Sequence, residues 1–252
     1  MLRCAVLGDP VSHSRSPEIY NALFEKYGID AVFFTMRVGL EDAPRIRELT
    51  GGLSGFALTM PLKRAVIPYI DSLDPSASCG AVNIVKREGE TLTGFNTDGE
   101  GAADALLEML PSLEGLKAAI LGRGGAASAC AYALKNRGCS VCHLVRSARN
   151  NDEIVIGDLL YGDEPLKADI FINATPLGME NAPTFAYFDL LDVLKPRAVL
   201  DMVYRPNGET ELVRAAKELG TAALGGERML LHQALRAFEI WFGFRPEAPE
   251  NF

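Results

Sequence analysis

Short apolar runs alternate along this chain with stretches whose apolar residues recur every three or four positions. The runs read as strands, the recurring stretches as amphipathic helices. Cys4–Leu7 opens the order as a strand. Pro17–Tyr27 follows as a helix, with Ile19, Tyr20, Leu23, Phe24 and Tyr27 at helical spacing and Gly28 as its stop. Val32–Val38 predicts a strand and Leu40–Leu49 a helix ended by Gly51-Gly52. Gly55–Thr59 predicts a strand broken by Pro61, and Leu62–Ile70 a helix. Gly80–Val85 and Glu90–Phe95 read as hairpin strands around Glu88-Gly89, and Gly99–Leu110 as a helix. Beyond Pro111–Gly115, strands are expected at Ala118–Leu121, Ser140–Val145, Asp169–Asn173, Ala198–Asp201 and Thr221–Leu224. An alanine-rich helix follows the first of them, and helices Glu209–Leu219 and Glu227–Phe242 complete the order. Asn150–Lys167 is short and weakly patterned, and the Arg149–Asp169 region is too short for a full crossover helix. The fold class is α/β, with alternating elements that imply a parallel sheet joined by right-handed crossovers.

Composition narrows the partners. The 252 residues are 48% hydrophobic, enough for one large core or two small ones. The formal charge of −8, with no Lys/Arg-rich run, argues against nucleic acid and anionic membranes. No apolar run approaches the roughly 18 residues of a membrane span. Met1-Leu2-Arg3 runs straight into a strand, so no secretory signal is expected and the chain reads as cytoplasmic. Cys4, Cys79, Cys130, Cys139 and Cys142 are scattered. Cys139 and Cys142 have CxxC spacing, but lie along a strand with no second pair to complete a metal site. They read as structural, and no metal is expected.

The strongest chemical signal is Gly122-Arg123-Gly124-Gly125-Ala126-Ala127, between an apolar strand and a helix. Gly122, Gly124 and Ala127 meet the G-x-G-x-x-G/A spacing of a dinucleotide turn. Gly122 permits the tight turn, Gly124 lets the backbone approach a pyrophosphate, and Ala127 lets the helix pack closely. The helix opening at Gly125 and Ala126 turns unpaired N–H groups toward the phosphates. The next strand ends where NAD-binding folds place an acid on the ribose. Here Arg146-Ser147-Ala148-Arg149 follows instead. Arg146, Ser147 and Arg149 suit a 2′-phosphate, which favours NADP(H) over NAD.

Elsewhere the polar candidates have bland readings too. Ser16 before Pro17 has the pattern of a helix N-cap. With Ser14 it also brings two hydroxyls and a positive helix end to one point, which suits a small carboxylate. Lys63 stands in the first turn of a helix, where the dipole disfavours a cation. Asp98 is either an N-cap or a carboxylate at a domain junction within reach of Lys63. Asn173-Ala174-Thr175 and Met202 follow strand ends, where ligands bind in parallel sheets. Gln233 is the one long polar group on a face shared by Met229, Leu230, Ala234 and Ala237.

Seven segments, in order and with similar spacing, resemble the shikimate dehydrogenase family. They are Ser14-Arg15-Ser16-Pro17, Leu58-Thr59-Met60-Pro61-Leu62-Lys63, Gly80-Ala81-Val82-Asn83, Asn96-Thr97-Asp98-Gly99, Gly122–Ala127, Asn173-Ala174-Thr175 and Met229…Gln233. The match runs from about residue 5 to about residue 242. The resemblance implies a two-domain enzyme that reversibly reduces 3-dehydroshikimate with NADPH in aromatic amino-acid and chorismate biosynthesis. An N-terminal α/β substrate domain, residues 1–98 plus a returning C-terminal helix at 229–252, would join a Rossmann-type parallel-sheet NADP-binding domain, 99–228. Ser14 and Ser16 would hold the substrate carboxylate, with Tyr204 near it. Thr59, Lys63, Asn83, Asp98 and Gln233 would hold the ring hydroxyls. Lys63 would act as acid–base group with Asp98 as its partner. Gly122, Gly124, Gly125, Ala126, Arg146, Ser147, Arg149, Asn173, Ala174, Thr175, Met202, Gly226 and Met229 would line the cofactor.

The chain departs from the family at Ala57, where Asn is frequent, and at Phe95, where Asp is common. Val145-Arg146-Ser147 stands for the usual Asn-Arg-Thr. These departures leave open a quinate/shikimate paralogue using NAD, and a non-catalytic shikimate-pathway binding module is a third reading. Intact Lys63 and Asp98 oppose the module, and Arg146 and Arg149 oppose NAD. The expected partners are small molecules, the chain being a monomer or homodimer.

Overall fold

The computed structural model describes residues 1–162, 166–180, 182–205 and 208–249. It divides into two compact units, Met1–Asp98 with Gln233–Phe252, and Gly99–His232. The sequence places the return to the first unit at Met229. The division falls later because Met229 is buried among Ala102, Leu106, Cys130 and Ile172 of the second unit's core.

The first unit is built on a sheet of β1 (Leu2–Gly8), β2 (Ala31–Arg37), β3 (Gly55–Leu58), β4 (Ser72–Leu73), β5 (Ile84–Glu88) and β6 (Thr91–Phe95). Its spatial order is β2-β1-β3-β5-β6-β4. β1 lies parallel to β2 and β3, whereas β5 and β6 form an antiparallel hairpin beside β3. Central position explains composition: Cys4 through Leu7 and Gly55 through Leu58 are buried throughout. Leu7, Ile46, Phe56, Leu62, Val66 and Val85 fill one core. An aromatic cluster fills another, with Tyr20 stacked on Phe33 at 4.3 Å between ring centroids and Trp241 5.2 Å from Tyr20. Phe238, wholly buried, packs between Phe24 at 6.2 Å and Phe242 at 4.6 Å.

Helix boundaries differ from the sequence reading where local chemistry intervenes. α1 runs Ser16–Lys26, so Ser16 is inside the helix and Arg15 holds the cap position, its side chain bonded to Glu18 rather than to the helix backbone. Ser14 Oγ instead accepts from the Ser16 N–H at 3.3 Å. The expected helix Leu40–Leu49 is a 3₁₀ segment, Leu40–Arg45, then α2, Ile46–Leu49, because Pro44 removes a donor within it. Pro68 likewise cuts the expected Leu62–Ile70 to α3, Leu62–Ala65, and a 3₁₀ turn at Ile67–Tyr69. The hairpin strand expected from Gly80 begins only at Ile84. Gly80 turns left-handed (φ 76°) after a 3₁₀ segment, and Val82 N–H donates to the Lys63 carbonyl at 2.7 Å.

The second unit carries β7 (Lys117–Leu121), β8 (Ser140–Val145), β9 (Glu153–Val155), β10 (Ile170–Asn173), β11 (Ala198–Asp201) and β12 (Ala222–Leu224). All neighbours are parallel, in the order β12-β11-β10-β7-β8-β9. This is the doubly wound dinucleotide-fold order, reversing between β7 and β10, where ligands bind at the carboxyl ends. The helices after β6 are α4 (Asp98–Leu107), α5 (Gly125–Asn136), α6 (Ile156–Tyr161), α7 (Asp189–Leu194), α8 (Glu211–Glu218) and α9 (Gly226–Phe242), the last belonging to the first unit from Gln233 onward. The weakly patterned segment resolves into β9 and α6, and no helix separates β8 from β9. Among the described residues no helix is long and apolar enough to cross a membrane, and the five cysteines form no disulfide.

Candidate active site

In the first unit, polar side chains converge behind the ends of β3 and β6. Lys63, on α3, places its Nζ 2.5 Å from Asp98 Oδ2. The Asp98 side chain is only 6% exposed and that of Lys63 22%. A buried carboxylate needs a charge partner and further donors. Asn83 provides the second donor, its Nδ2 lying 2.9 Å from Asp98 Oδ1. The same amide lies 2.9 Å from Thr97 Oγ1 and 3.4 Å from Gln233 Oε1. Asn83 is fixed in turn, because its Oδ1 accepts from Thr97 N–H at 2.8 Å. Asn96 anchors the run: its Nδ2 donates to the Ala81 carbonyl and its Oδ1 accepts from Asp98 N–H, each near 3 Å. Asp98 therefore opens α4 with its carboxylate committed to Lys63 and Asn83.

The backbone around this cluster is equally constrained. Leu58 N–H donates to the Asn83 carbonyl, and Thr59 N–H to the Leu7 carbonyl. Thr59 is half-buried at the exit of β3, and Ser14 and Ser16 stand at the start of α1. The first unit thus brings together Lys63, Asn83, Asp98 and Gln233 by direct contact. Asn96 and Thr97 belong to the same network. They were part of a recognisable run, but nothing in its spacing marked them as the residues that orient the other side chains.

In the second unit, Gly122 sits at φ 109°, a backbone shape open to glycine, and a side chain there would meet Thr175 Cγ2 at 2.9 Å. Gly124 precedes α5 in an extended conformation, with open space where a side chain would stand. No acidic residue occupies the first turn of α5. Its leading N–H groups lack intrahelical partners, so the turn fits an anionic pyrophosphate. Arg146, Ser147 and Arg149 lie exposed beyond β8. Among the described residues neither of these two guanidiniums is paired with a carboxylate.

Across the switch point, Asn173 is buried at the end of β10. Its Nδ2 donates to Asp201 Oδ1 at 2.8 Å, while its Oδ1 accepts from Thr175 Oγ1 at 2.6 Å. Asp201 also accepts from Thr210 Oγ1 and Val203 N–H. Burial pushes its carboxyl up to about 6, against the pull of these donors. Asp201 is a residue the sequence reading missed: a buried acid at a strand end gives no pattern. Met202 is half-buried beside Cys130, and Ala174 and Tyr204 are half-buried beyond their strands. Tyr204 thus belongs to the second unit. Gly226 opens α9, its N–H donating to the Val203 carbonyl at 3.0 Å.

A doubly wound sheet with a glycine turn leading into its α5 helix, and a separate α/β unit bearing a lysine–aspartate pair, define a two-unit dinucleotide-type enzyme class. The relatives specify it. Residues 6–85 match the profile of the shikimate dehydrogenase substrate binding domain, and 226–250 that of the shikimate 5'-dehydrogenase C-terminal domain. The NADP(+) shikimate dehydrogenase of Symbiobacterium thermophilum is 36% identical, over 95% of this chain and 88% of its own. That of Rubrobacter xylanophilus is 38% identical, over 96% and 91%. The crystal structure of Thermus thermophilus shikimate 5-dehydrogenase in complex with NADP(H) and shikimate superposes with a TM-score of 0.84. It shares 33% identity and covers 98% of this chain and 95% of its own. The chain belongs to the shikimate dehydrogenase family.

Proposed function

We propose that this chain catalyses the reversible, NADPH-dependent reduction of 3-dehydroshikimate to shikimate. The observation that carries the reading is the Lys63–Asp98 pair, 2.5 Å apart and braced by Asn83. The first unit acts as the substrate domain and the second as the NADP-binding domain. Ser14 and Ser16 receive the substrate carboxylate at the start of α1. Thr59, Asn83, Asp98 and Gln233 take the ring hydroxyls. Gly122, Gly124, Gly125, Ala126, Asn173, Ala174, Thr175, Met202, Gly226 and Met229 would hold NADPH, which when bound would supply a hydride for the C3 carbonyl.

The chain's own part is to manage the proton. As C3 accepts hydride its oxygen gains charge, and Lys63 Nζ donates the proton that neutralises it. Asp98 aims the Lys63 ammonium through their direct contact, and accepts from a neighbouring hydroxyl. Arg146, Ser147 and Arg149 bind the 2′-phosphate and give NADP its advantage over NAD. The substrates are small molecules, and the enzyme works in the cytosol as a monomer or homodimer.

The test is nicotinamide absorbance with purified protein, crossing shikimate and quinate with NADP and NAD. Turnover confined to shikimate with NADP is expected. Strong turnover with quinate and NAD would move the protein to the quinate-type paralogue. Thermal stabilisation by shikimate without turnover would make it a binding module.

A further inference from the structure

Glu153 is an anomaly in a site meant for phosphate. It opens β9, beside His143 of β8, and its side chain is only 5% exposed. Its Oε2 accepts from Arg149 N–H at 2.6 Å, which puts the carboxylate against the loop that carries Arg146, Ser147 and Arg149. A carboxylate there repels a 2′-phosphate and would favour the plain ribose hydroxyl of NAD. It is answered by Arg123, which stands between Gly122 and Gly124 of the glycine turn. Arg123 Nη1 lies 3.2 Å from Glu153 Oε2 and donates to the Ser147 carbonyl at 3.0 Å. One guanidinium therefore neutralises the buried acid and ties the glycine turn to the exposed cationic loop. The turn is locked to β8 on its other side, by Gly122 N–H donating to Leu144 O and by His143 Nδ1 at 2.8 Å from Gly122 O.

We infer that Arg123 and Glu153 form a positioning and selectivity pair: Arg123 cancels the Glu153 charge and so sets the preference for a 2′-phosphorylated dinucleotide. The inference rests on the NADP reading above. Without Arg123, Glu153 stands as a nearly buried, uncompensated anion beside the phosphate site, and the penalty falls on NADP far more than on NAD. Removing both charges together relieves it. A merely structural clip behaves otherwise, since each substitution would weaken both dinucleotides alike and the double variant would be the worst.

The experiment is calorimetric titration of NADP and NAD into wild type, R123Q, R123K, E153Q and R123Q/E153Q, paired with steady-state kinetics of shikimate oxidation. In R123Q the NADP-to-NAD affinity ratio should fall about tenfold or more, with the kinetic loss in KM for NADP rather than kcat. R123K should retain most of the ratio. E153Q should keep or raise it. R123Q/E153Q should recover it to within about threefold of wild type, a non-additive response. A double variant no better than R123Q, or parallel losses of NADP and NAD in every variant, would overturn the pairing. Binding is read without turnover, so an inactive wild type that still selects NADP sinks the proposed reaction while leaving this inference testable. A wild type that binds NADP no better than NAD sinks the inference itself.

Discussion

Lys63 and Tyr20 show opposite ways in which a buried polar group matters. Lys63 has a partner, and the proton step proposed above uses it. Replacing it with alanine should lower kcat about 10²–10⁴-fold while KM for shikimate moves only a few-fold, as measured by initial rates. Retained turnover within a few-fold would remove Lys63 from the proton step. Tyr20 lies wholly buried, and its hydroxyl has no hydrogen-bond partner among the described residues. Its ring stacks on Phe33, a contact that phenylalanine keeps. Tyr20→Phe should therefore stabilise the protein by about 1 kcal/mol in urea titrations, because it removes an unsatisfied buried oxygen. A loss of stability would mean that the hydroxyl is bonded after all.

At the scale of elements, ends are governed by single residues that periodicity does not weigh. The strands were legible because β1, β3, β7, β10 and β11 are central and their apolar runs are unbroken. Pro44 and Pro68 were visible in the sequence, yet helical spacing on either side of them concealed the break. The Lys63, Asn83 and Asp98 cluster was readable only as separate motifs. Its geometry depends on Asn96 and Asn83 bonding across the hairpin to Ala81 and Thr97. Glu153 was not legible at all, since it opens a three-residue strand in a segment without pattern.

The strand-end acid Asp201 gives this scale its pH prediction. Its carboxyl rises from 3.8 to about 6 on folding because burial disfavours the charge. The folded state therefore binds the proton more tightly than the unfolded chain. That contribution is fully present below about pH 3.8 and is lost as pH climbs through about 6, to the extent of about 3 kcal/mol. Asp201→Asn escapes this loss, and an amide can still accept from Asn173 while donating to Thr210. The stability of the variant relative to wild type should thus grow between about pH 4 and 7, read by urea unfolding at both. A constant difference would show that Asp201 keeps an ordinary affinity for its proton.

For the whole molecule, the decisive property is that one unit is continuous and the other is not. The first unit needs Gln233 onward to complete its aromatic core. Phe238 is wholly buried there, so Phe238→Ala should cost about 3–5 kcal/mol. Trp241 is the only tryptophan and belongs to the same cluster, its Nε1 donating to the Val85 carbonyl at 3.1 Å. Its fluorescence reports the first unit directly, and the urea midpoint of that signal should fall in the variant. An unmoved midpoint would mean that the closing helix is not needed to hold the first unit together.

The same discontinuity has a consequence during synthesis. Chains emerge from the ribosome N-terminus first, and domains tend to fold as they appear. Residues 99–232 form an uninterrupted stretch and can fold as soon as it is out. The earlier-made residues 1–98 must wait, with Tyr20, Phe24 and Phe33 uncovered, until the last helix arrives. Of the two units, the one begun first is therefore finished last, and the interval is when it most needs a chaperone.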